Sequence, residues 1–413
     1  MRVCLVSREV SPFYGAGIGA YATAMANAWR ATGHEIHLLT DRHAGLAERA
    51  SEFLPGVNLH AVGVAASPDF AFWPERYAHA VHVALRDLCS AYDFDYIEFP
   101  EYDAEGWFAL DARSRGDFPS KPVLGLRLHT PTLDCMRLND EDPRDPSRSR
   151  GVELEERALP LADLLLSPTR SLLDIVTTRI ESRGLPSPTG RVVPYPFTAD
   201  WGGTDSASEV HAVPTVLYFG RLERRKGVDV LVRAALELLG SGEHVRFRFI
   251  GSDTQTAPGG GSMLAHLQGL ARGPHLSRFS FESPRPRLGL ARAIRGADVC
   301  CFPSRWENFP NACLEAMSLG ALVVASNAGG MGEIIEDRRS GLLFDSGSVD
   351  SLASALRLAL HDDSARSQIR AEAPPRVATL CDPRTVVTRT IDAIESARRA
   401  RDHRGARAGT TQA

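Results

Sequence analysis

TVLYFGRLERRKGVDVLVRAALELL, residues 215–239, is the stretch on which the fold turns. Thr215–Phe219 is a short apolar run rich in β-branched and aromatic residues, which reads as a strand. Val228–Leu239 is apolar at helical spacing. GRLERRKG, Gly220 to Gly227, joins the two. A strand that feeds a helix through a glycine-bounded turn is half of a βαβ unit, so the same alternation is sought along the rest of the chain.

It recurs on both sides. Downstream, the pattern predicts strands at Val245–Ile250, Val299–Phe302 and Leu322–Ala325, with helices at Arg287–Arg295 and Pro310–Leu319. Upstream, it predicts strands at Val3–Ser7, Glu35–Leu39, Asn58–Val62, Tyr96–Phe99, Val123–Leu128, Leu164–Ser167 and Val192–Val193, with helices at Ile18–Ala31, Phe72–Ala91 and Ser171–Arg183. Alternating strands and helices imply parallel sheets covered by helices on both faces. Between the two series, TADWGGTDSASEVHAV (198–213) has no periodicity and many small polar residues, so it reads as a linker. The expectation is an α/β protein of two domains, 1–197 and 214–383. A last helix at about 384–400 returns to the first domain, and a disordered tail runs from 401 to 413. A crevice between two such domains is a common ligand site.

Composition narrows the function. The chain has 413 residues, 43% hydrophobic and 24% charged, with formal net charge −4, so it holds no basic excess for a nucleic-acid backbone. No apolar run reaches the ~18 residues of a membrane span, and MRVCLVSREV lacks the features of a signal peptide. The expectation is a cytoplasmic protein without an integral membrane segment. Its seven cysteines are scattered without CxxC spacing and read as free thiols, with no metal site. Only Lys121 and Lys226 are lysines, although Lys+Arg totals 47. A lysine kept against such a preference for arginine suggests a need for a compact point charge.

One glycine motif misleads. Gly15, Gly17 and Ala20 fit GxGxxG/A, and Asp41 ends the second strand, as in a dinucleotide fingerprint. In that fingerprint the first glycine follows the strand directly. Here Pro12 and its neighbours intervene, making a longer loop that delivers glycines to a helix N-terminus. Such a loop suits close approach of a sugar, phosphate or acceptor more than NAD.

The chemistry is expected in the second half. Arg221 leaves the carboxyl end of a strand, where ligands of α/β proteins bind, and Lys226 stands at a helix start. A forked donor and a point charge converging there suit a diphosphate. In WENFPNACLEAMSLG (306–320), Glu307 precedes a helix that opens near Pro310 and closes at Gly320, and Glu315 lies inside that helix. Two carboxylates can accept hydrogen bonds from hydroxyls, and helix-end amides between them can meet phosphate oxygens. A nucleotide sugar has hydroxyls at both ends and phosphates between.

GRLERRKG, then PSRWENFPNACLEAMSLG, then GGMGEII and SGLLF, together with SPFYGAGIGAYA, IEFPEYDAEG and RLHTP, resemble the retaining glycosyltransferases of family GT4 over residues 1–360. The resemblance implies a GT-B fold of two facing Rossmann-like domains, with a nucleotide-sugar donor held mainly by the second. It implies that Arg221 and Lys226 hold the diphosphate, Glu315 the ribose and Glu307 the sugar hydroxyls. Phe309, Asn311 and Ala312 would offer backbone amides, Gly251 and Arg285 would border the base, and Gly17 would face the diphosphate or acceptor. It makes His129 the active-site histidine. Many members read ExFG where this chain has Glu307-Asn308-Phe309-Pro310, and Pro310 brings no N–H.

The expected reaction is transfer of a hexosyl group with retention to a small-molecule or glycan hydroxyl acceptor, from UDP-N-acetylglucosamine or UDP-glucose first and GDP-mannose second. With Glu307 committed to hydroxyls, front-face attack is expected over double displacement. No metal or cofactor is expected, because two cations face the leaving group and no DxD-like cluster appears. Trp73, Glu101 and Tyr102 are expected at the acceptor. A nucleotide-sugar epimerase, a sugar phosphorylase or an NAD-dependent dehydrogenase are the alternatives.

Overall fold

The computed structural model describes residues 1–64, 70–198, 201 and 208–410. The chain forms two compact units. The first comprises Met1–Asp134, Asp142–Pro196 and the segment from Cys381, and the second Cys135–Glu141 and Phe197–Leu380.

The first unit is built on β1 (Arg2–Val6), β2 (Glu35–Asp41), β3 (Asn58–Val62), β4 (Tyr96–Pro100), β5 (Val123–Arg127), β6 (Leu164–Ser167) and β7 (Thr189–Val192). They form a sheet of order β3-β2-β1-β4-β5-β6-β7, and every pair is parallel. β4 and β5 are buried at every residue, and the two charges they contain, Glu98 and Arg127, pair with each other at 3.3 Å. Trp29, Tyr77, Phe94 and Phe99 are among the largest fully buried side chains around this sheet.

The second unit is built on β8 (Thr215–Phe219), β9 (Arg246–Ile250), β10 (Phe279–Glu282), β11 (Val299–Phe302), β12 (Val323–Ser326) and β13 (Leu342–Phe344). Its sheet runs β10-β9-β8-β11-β12-β13, again all parallel. Val216, Tyr218, Phe247, Phe249, Val299 and Val324 belong to its core, with Leu231, Ala235 and Leu238 of the helix Val228–Gly240 packed on them. The quoted stretch is therefore the first strand and first helix of this sheet. The helix Asn311–Ser318 begins one residue later than Pro310, which stands at its N-cap. Among the described residues no helix is long and apolar enough to cross a membrane.

Two expectations about chain ends and links need correction. The final helix runs Pro383–Thr410, past the end expected at about 400, and 411–413 lie outside the described residues. Arg401 fastens it, with Nη1 donating to Pro122 O at 3.0 Å and facing Asp163 at 3.3 Å, and Nη2 donating to Lys121 O at 3.2 Å. Of the supposed linker, 199–200 and 202–207 lie outside the described residues. Its end is tied down, because Glu209 pairs with Arg248 at 2.6 Å and with Arg285, and its amide donates to Arg292 O at 3.2 Å.

Candidate active site

In the second sheet the chain fills one side of β8 with β9 and β10, then returns to place β11 on the other side. The carboxyl ends of the two strands flanking such a reversal make a crevice where ligands of open parallel sheets bind. Both loops singled out in the sequence leave the sheet there. The loop after β8 makes a single tight turn, Arg224–Lys226, and ends at Gly227 with φ 63°. A Cβ on Gly227 would lie 1.9 Å from Pro303 O, so only glycine permits this approach to the loop after β11. Arg305 completes the junction: its amide donates to Arg225 O at 2.8 Å and its guanidinium holds both Asp229 oxygens at 2.8 Å. Gly251 is equally constrained, since a Cβ there would lie 1.8 Å from Gly220 O.

Within this frame Lys226 Nζ is hydrogen-bonded to Glu307 Oε1. Ser304 Oγ donates to the same oxygen at 3.1 Å, and Arg225 Nη1 stands 3.3 Å from Oε2. Burial alone would raise the Glu307 carboxyl, but the charges of Lys226 and Arg225 outweigh it and hold it at about 2. Burial lowers the Lys226 ammonium, and Glu307 opposes that shift. Glu307 is thus a fully engaged, ionised carboxylate at neutral pH. Arg225 Nε also meets Glu223 Oε1 at 3.3 Å, and Glu223 Oε2 pairs with the more exposed Arg221 at 3.0 Å.

The helix Asn311–Ser318 has no side-chain cap, and the amides of Asn311 and Ala312 donate to nothing among the described residues. One turn on, Glu315 is half-buried, and its carboxylate makes no hydrogen bond or ion pair with any described residue. Burial raises its carboxyl, with Arg287 opposing. Free amides, exposed cations and an unpartnered carboxylate therefore share one end of one sheet. Phe309 is buried beside them. Arg285, expected against a base, is instead spent on Glu209 and on Glu282 at 2.6 Å, in a cluster with Arg248.

In the first unit, His129 follows β5 and is 8% exposed. Tyr195 Oη lies 2.7 Å from both Leu128 O and His129 Nδ1. The carbonyl can only accept, so it takes the one tyrosine proton. We therefore assign the imidazole proton to Nδ1, leaving Nε2 with its lone pair. Burial, aided by the Arg127 charge, lowers the imidazole to about 3. His129 should stay neutral throughout pH 5–8, so its ring C–H resonances should not move in an NMR titration over that range. Movement with a midpoint near 6.5 would contradict this assignment.

Glu101 has a different place from the one expected. It is 1% exposed, and its Oε2 accepts the His129 amide at 2.7 Å. Burial, with Glu155 nearby, raises its carboxyl well above the ordinary range. It supports the His129 backbone and presents no surface to an acceptor. At Gly17, the first residue of the helix Gly17–Ala31, the expected anion site is already filled. Glu9 Oε2 accepts from Ala16 N at 2.8 Å and Gly19 N at 3.2 Å. Trp73 opens the helix Trp73–Ala91 and lines an open pocket of about 520 Å³ with Asp41, Arg42, Gly63 and Val64. The Arg8 guanidinium lies 5.0 Å from its ring centroid. Tyr102 stands in the short turn Tyr102–Ala104 after β4.

Arg225, Glu223, Ser304 and Glu9 were not foreseen. Arg225 lies in the basic run Arg224–Lys226, and no local spacing distinguishes it from Arg224. Its burial at 5% is set by groups some 80 positions away in the chain.

Comparison with known proteins bears on the family and the fold. Residues 16–196 match the glycosyl transferase 4-like domain, and residues 206–376 match the glycosyl transferases group 1. The D-inositol 3-phosphate glycosyltransferase of Corynebacterium jeikeium is 28% identical over 403 residues, 92% of this chain and 93% of its own length. That of Kribbella flavida is 28% identical over 390 residues, 88% of each chain. Among solved structures, sucrose-phosphate synthase from Thermosynechococcus elongatus superposes with TM-score 0.68 at 19% identity, covering 98% of this chain and 99% of that one. The Anabaena protein HepE in complex with UDP-glucose superposes with TM-score 0.67 at 17% identity, covering 96% and 100%. These two likenesses speak to the fold, which is GT-B. With a glycosyl transferase 4-like domain followed by a glycosyl transferases group 1 domain, the protein is a GT4-like glycosyltransferase.

Proposed function

We propose that the enzyme moves a hexosyl group from a nucleoside-diphosphate sugar to a hydroxyl acceptor, with retention and without a metal ion. UDP-N-acetylglucosamine and UDP-glucose are the first donors to test and GDP-mannose the second. The observation that carries this reading is the carboxyl end of the second sheet, which bears Arg221 and Lys226 on one loop and, on the next helix, the amides of Asn311 and Ala312 and the Glu315 carboxylate, none of these three with a partner among the described residues. Arg221, Lys226 and the amides of Asn311 and Ala312 suit a diphosphate, and Glu315 suits the ribose hydroxyls. The UDP-glucose in HepE supports the donor class.

Glu307 argues for front-face attack. A double displacement needs a free carboxylate at the anomeric carbon, and Arg225 and Ser304 each hold one Glu307 oxygen even when Lys226 turns to the diphosphate. The acceptor hydroxyl then attacks as the bond to the diphosphate breaks, and a leaving-group oxygen takes its proton. Arg221 and Lys226 stabilise the charge that grows on that group. The resemblance assigns His129 to the transferred sugar, and a neutral imidazole suits a hydroxyl there. The relatives' name makes D-inositol 3-phosphate the first acceptor to offer. An acceptor phosphate would meet the Glu9 carboxylate at the helix N-terminus of Gly17, so unphosphorylated cyclitols and glycans belong in the same panel.

Transfer from these donors should proceed in excess EDTA at a rate unchanged by Mg²⁺, and NMR of the product should show the donor's anomeric configuration. Complete loss in EDTA with recovery in Mg²⁺ would overturn metal independence, and an inverted product would overturn retention.

A further inference from the structure

We propose that Arg225 is a positioning residue for donor-sugar recognition: it keeps the Glu307 carboxylate fixed and charge-balanced once the donor diphosphate draws Lys226 away. The proposal rests on reading this site as a nucleotide-sugar site.

Five charges run in one line, Arg221–Glu223–Arg225–Glu307–Lys226. The two ends are the accessible ones, with side chains 57% and 22% exposed. Both are cations. The three in the middle are 4–7% exposed. A diphosphate is a stronger anion than either glutamate and recruits the two ends. If Lys226 were the only partner of Glu307, that recruitment would leave a buried carboxylate unpaired. Breaking a buried pair in this way is strongly destabilising, and donor binding would have to overcome it.

Arg225 removes the conflict. Its Nη1 serves Glu307 Oε2, while Lys226 and Ser304 serve Oε1, so withdrawal of Lys226 leaves one guanidinium and one hydroxyl on the carboxylate. Nor can Arg225 follow the phosphate itself. Its Nε is held by the buried Glu223, its carbonyl accepts the Arg305 amide, and Gly227 locks the turn against Pro303. The middle triad Glu223–Arg225–Glu307 thus stays paired while both ends turn to the ligand. Glu307 then offers an ionised, oriented carboxylate to the sugar.

The test separates diphosphate from sugar. Arg225→Met and Arg225→Lys are compared with wild type for nucleoside-diphosphate Kd by calorimetry, and for KM, kcat and the pH profile with the complete donor. Arg225→Met should keep the nucleoside-diphosphate Kd within about threefold, because the diphosphate meets only the ends. Its kcat/KM with the sugar donor should fall about 10–100-fold. The acid limb of its kcat/KM profile should move to higher pH, since Glu307 has lost a cation. Arg225→Lys should recover most of the rate. If Arg225→Met does not fold, Arg225→Gln, which keeps an N–H donor without the charge, carries the same comparison. Equal losses in nucleoside-diphosphate binding and sugar-donor turnover, or an acid limb that does not move, would overturn the proposal alone. A wild type that binds no nucleoside diphosphate would overturn the site reading as well.

Discussion

Lys226→Ala should lower kcat/KM with the nucleotide-sugar donor by about 10²–10³-fold, the scale of losing one preorganised charge at a developing anion. Lys226 is placed for this by the tight turn after β8 and by Gly227, whose backbone closes on Pro303. Loss of the ammonium should cost little stability, because Arg225 and Ser304 still hold Glu307. Thermal unfolding should therefore move far less than catalysis does. Lys226→Arg should restore only part of the rate, since a planar fork does not replace a point charge beside an occupied carboxylate. Steady-state kinetics with the complete donor decides it. Turnover at the wild-type level in Lys226→Ala would remove this residue from the site.

Glu315→Ala should weaken nucleoside-diphosphate binding by about 10–100-fold, since hydrogen bonds to a charged group contribute ~1.5–3 kcal/mol each. Here function and stability should separate cleanly. Among the described residues the Glu315 carboxylate has no hydrogen-bond or ion-pair partner, and burial already disfavours its charge. The alanine variant should unfold at the same temperature as wild type or higher. Glu315→Gln, which keeps an acceptor oxygen, should fall between the two. Calorimetric Kd values measured beside thermal unfolding give the answer, and unchanged affinity would place the ribose elsewhere.

Much of this was legible in the chain. Strands β8 and β11 stand out because buried parallel strands are unbroken apolar runs, and β9 stands out as the longer alternation RFRFI. The residues of the loops that follow β8 and β11 carry the family resemblance. β10 and β13 escaped notice for a physical reason: FSFE alternates over only four residues, and Leu342–Phe344 is three residues long. Neither presents enough periodicity to read. The last helix was cut short at 400 because its charged, small-residue end offers no apolar face, whereas Arg401 holds it through contacts about 240 and 280 positions away. The same limit applies to the site. Lys226 and Glu307 could each be suspected locally, but their bond spans 81 positions. The burial of Arg225, the burial of Glu101 under His129 and the capture of the Ala16 and Gly19 amides by Glu9 are properties of the folded chain. They convert a basic turn, an acceptor contact and an anion site into a tether, a backbone support and a filled cap.

The most direct measurement is a calorimetric titration of the purified protein with UDP, GDP, ADP and NAD, each with and without EDTA. The account predicts micromolar, EDTA-insensitive binding of one nucleoside diphosphate, weakened in Glu315→Ala, and no binding of NAD. Binding of NAD alone, with every nucleoside diphosphate silent, would contradict it.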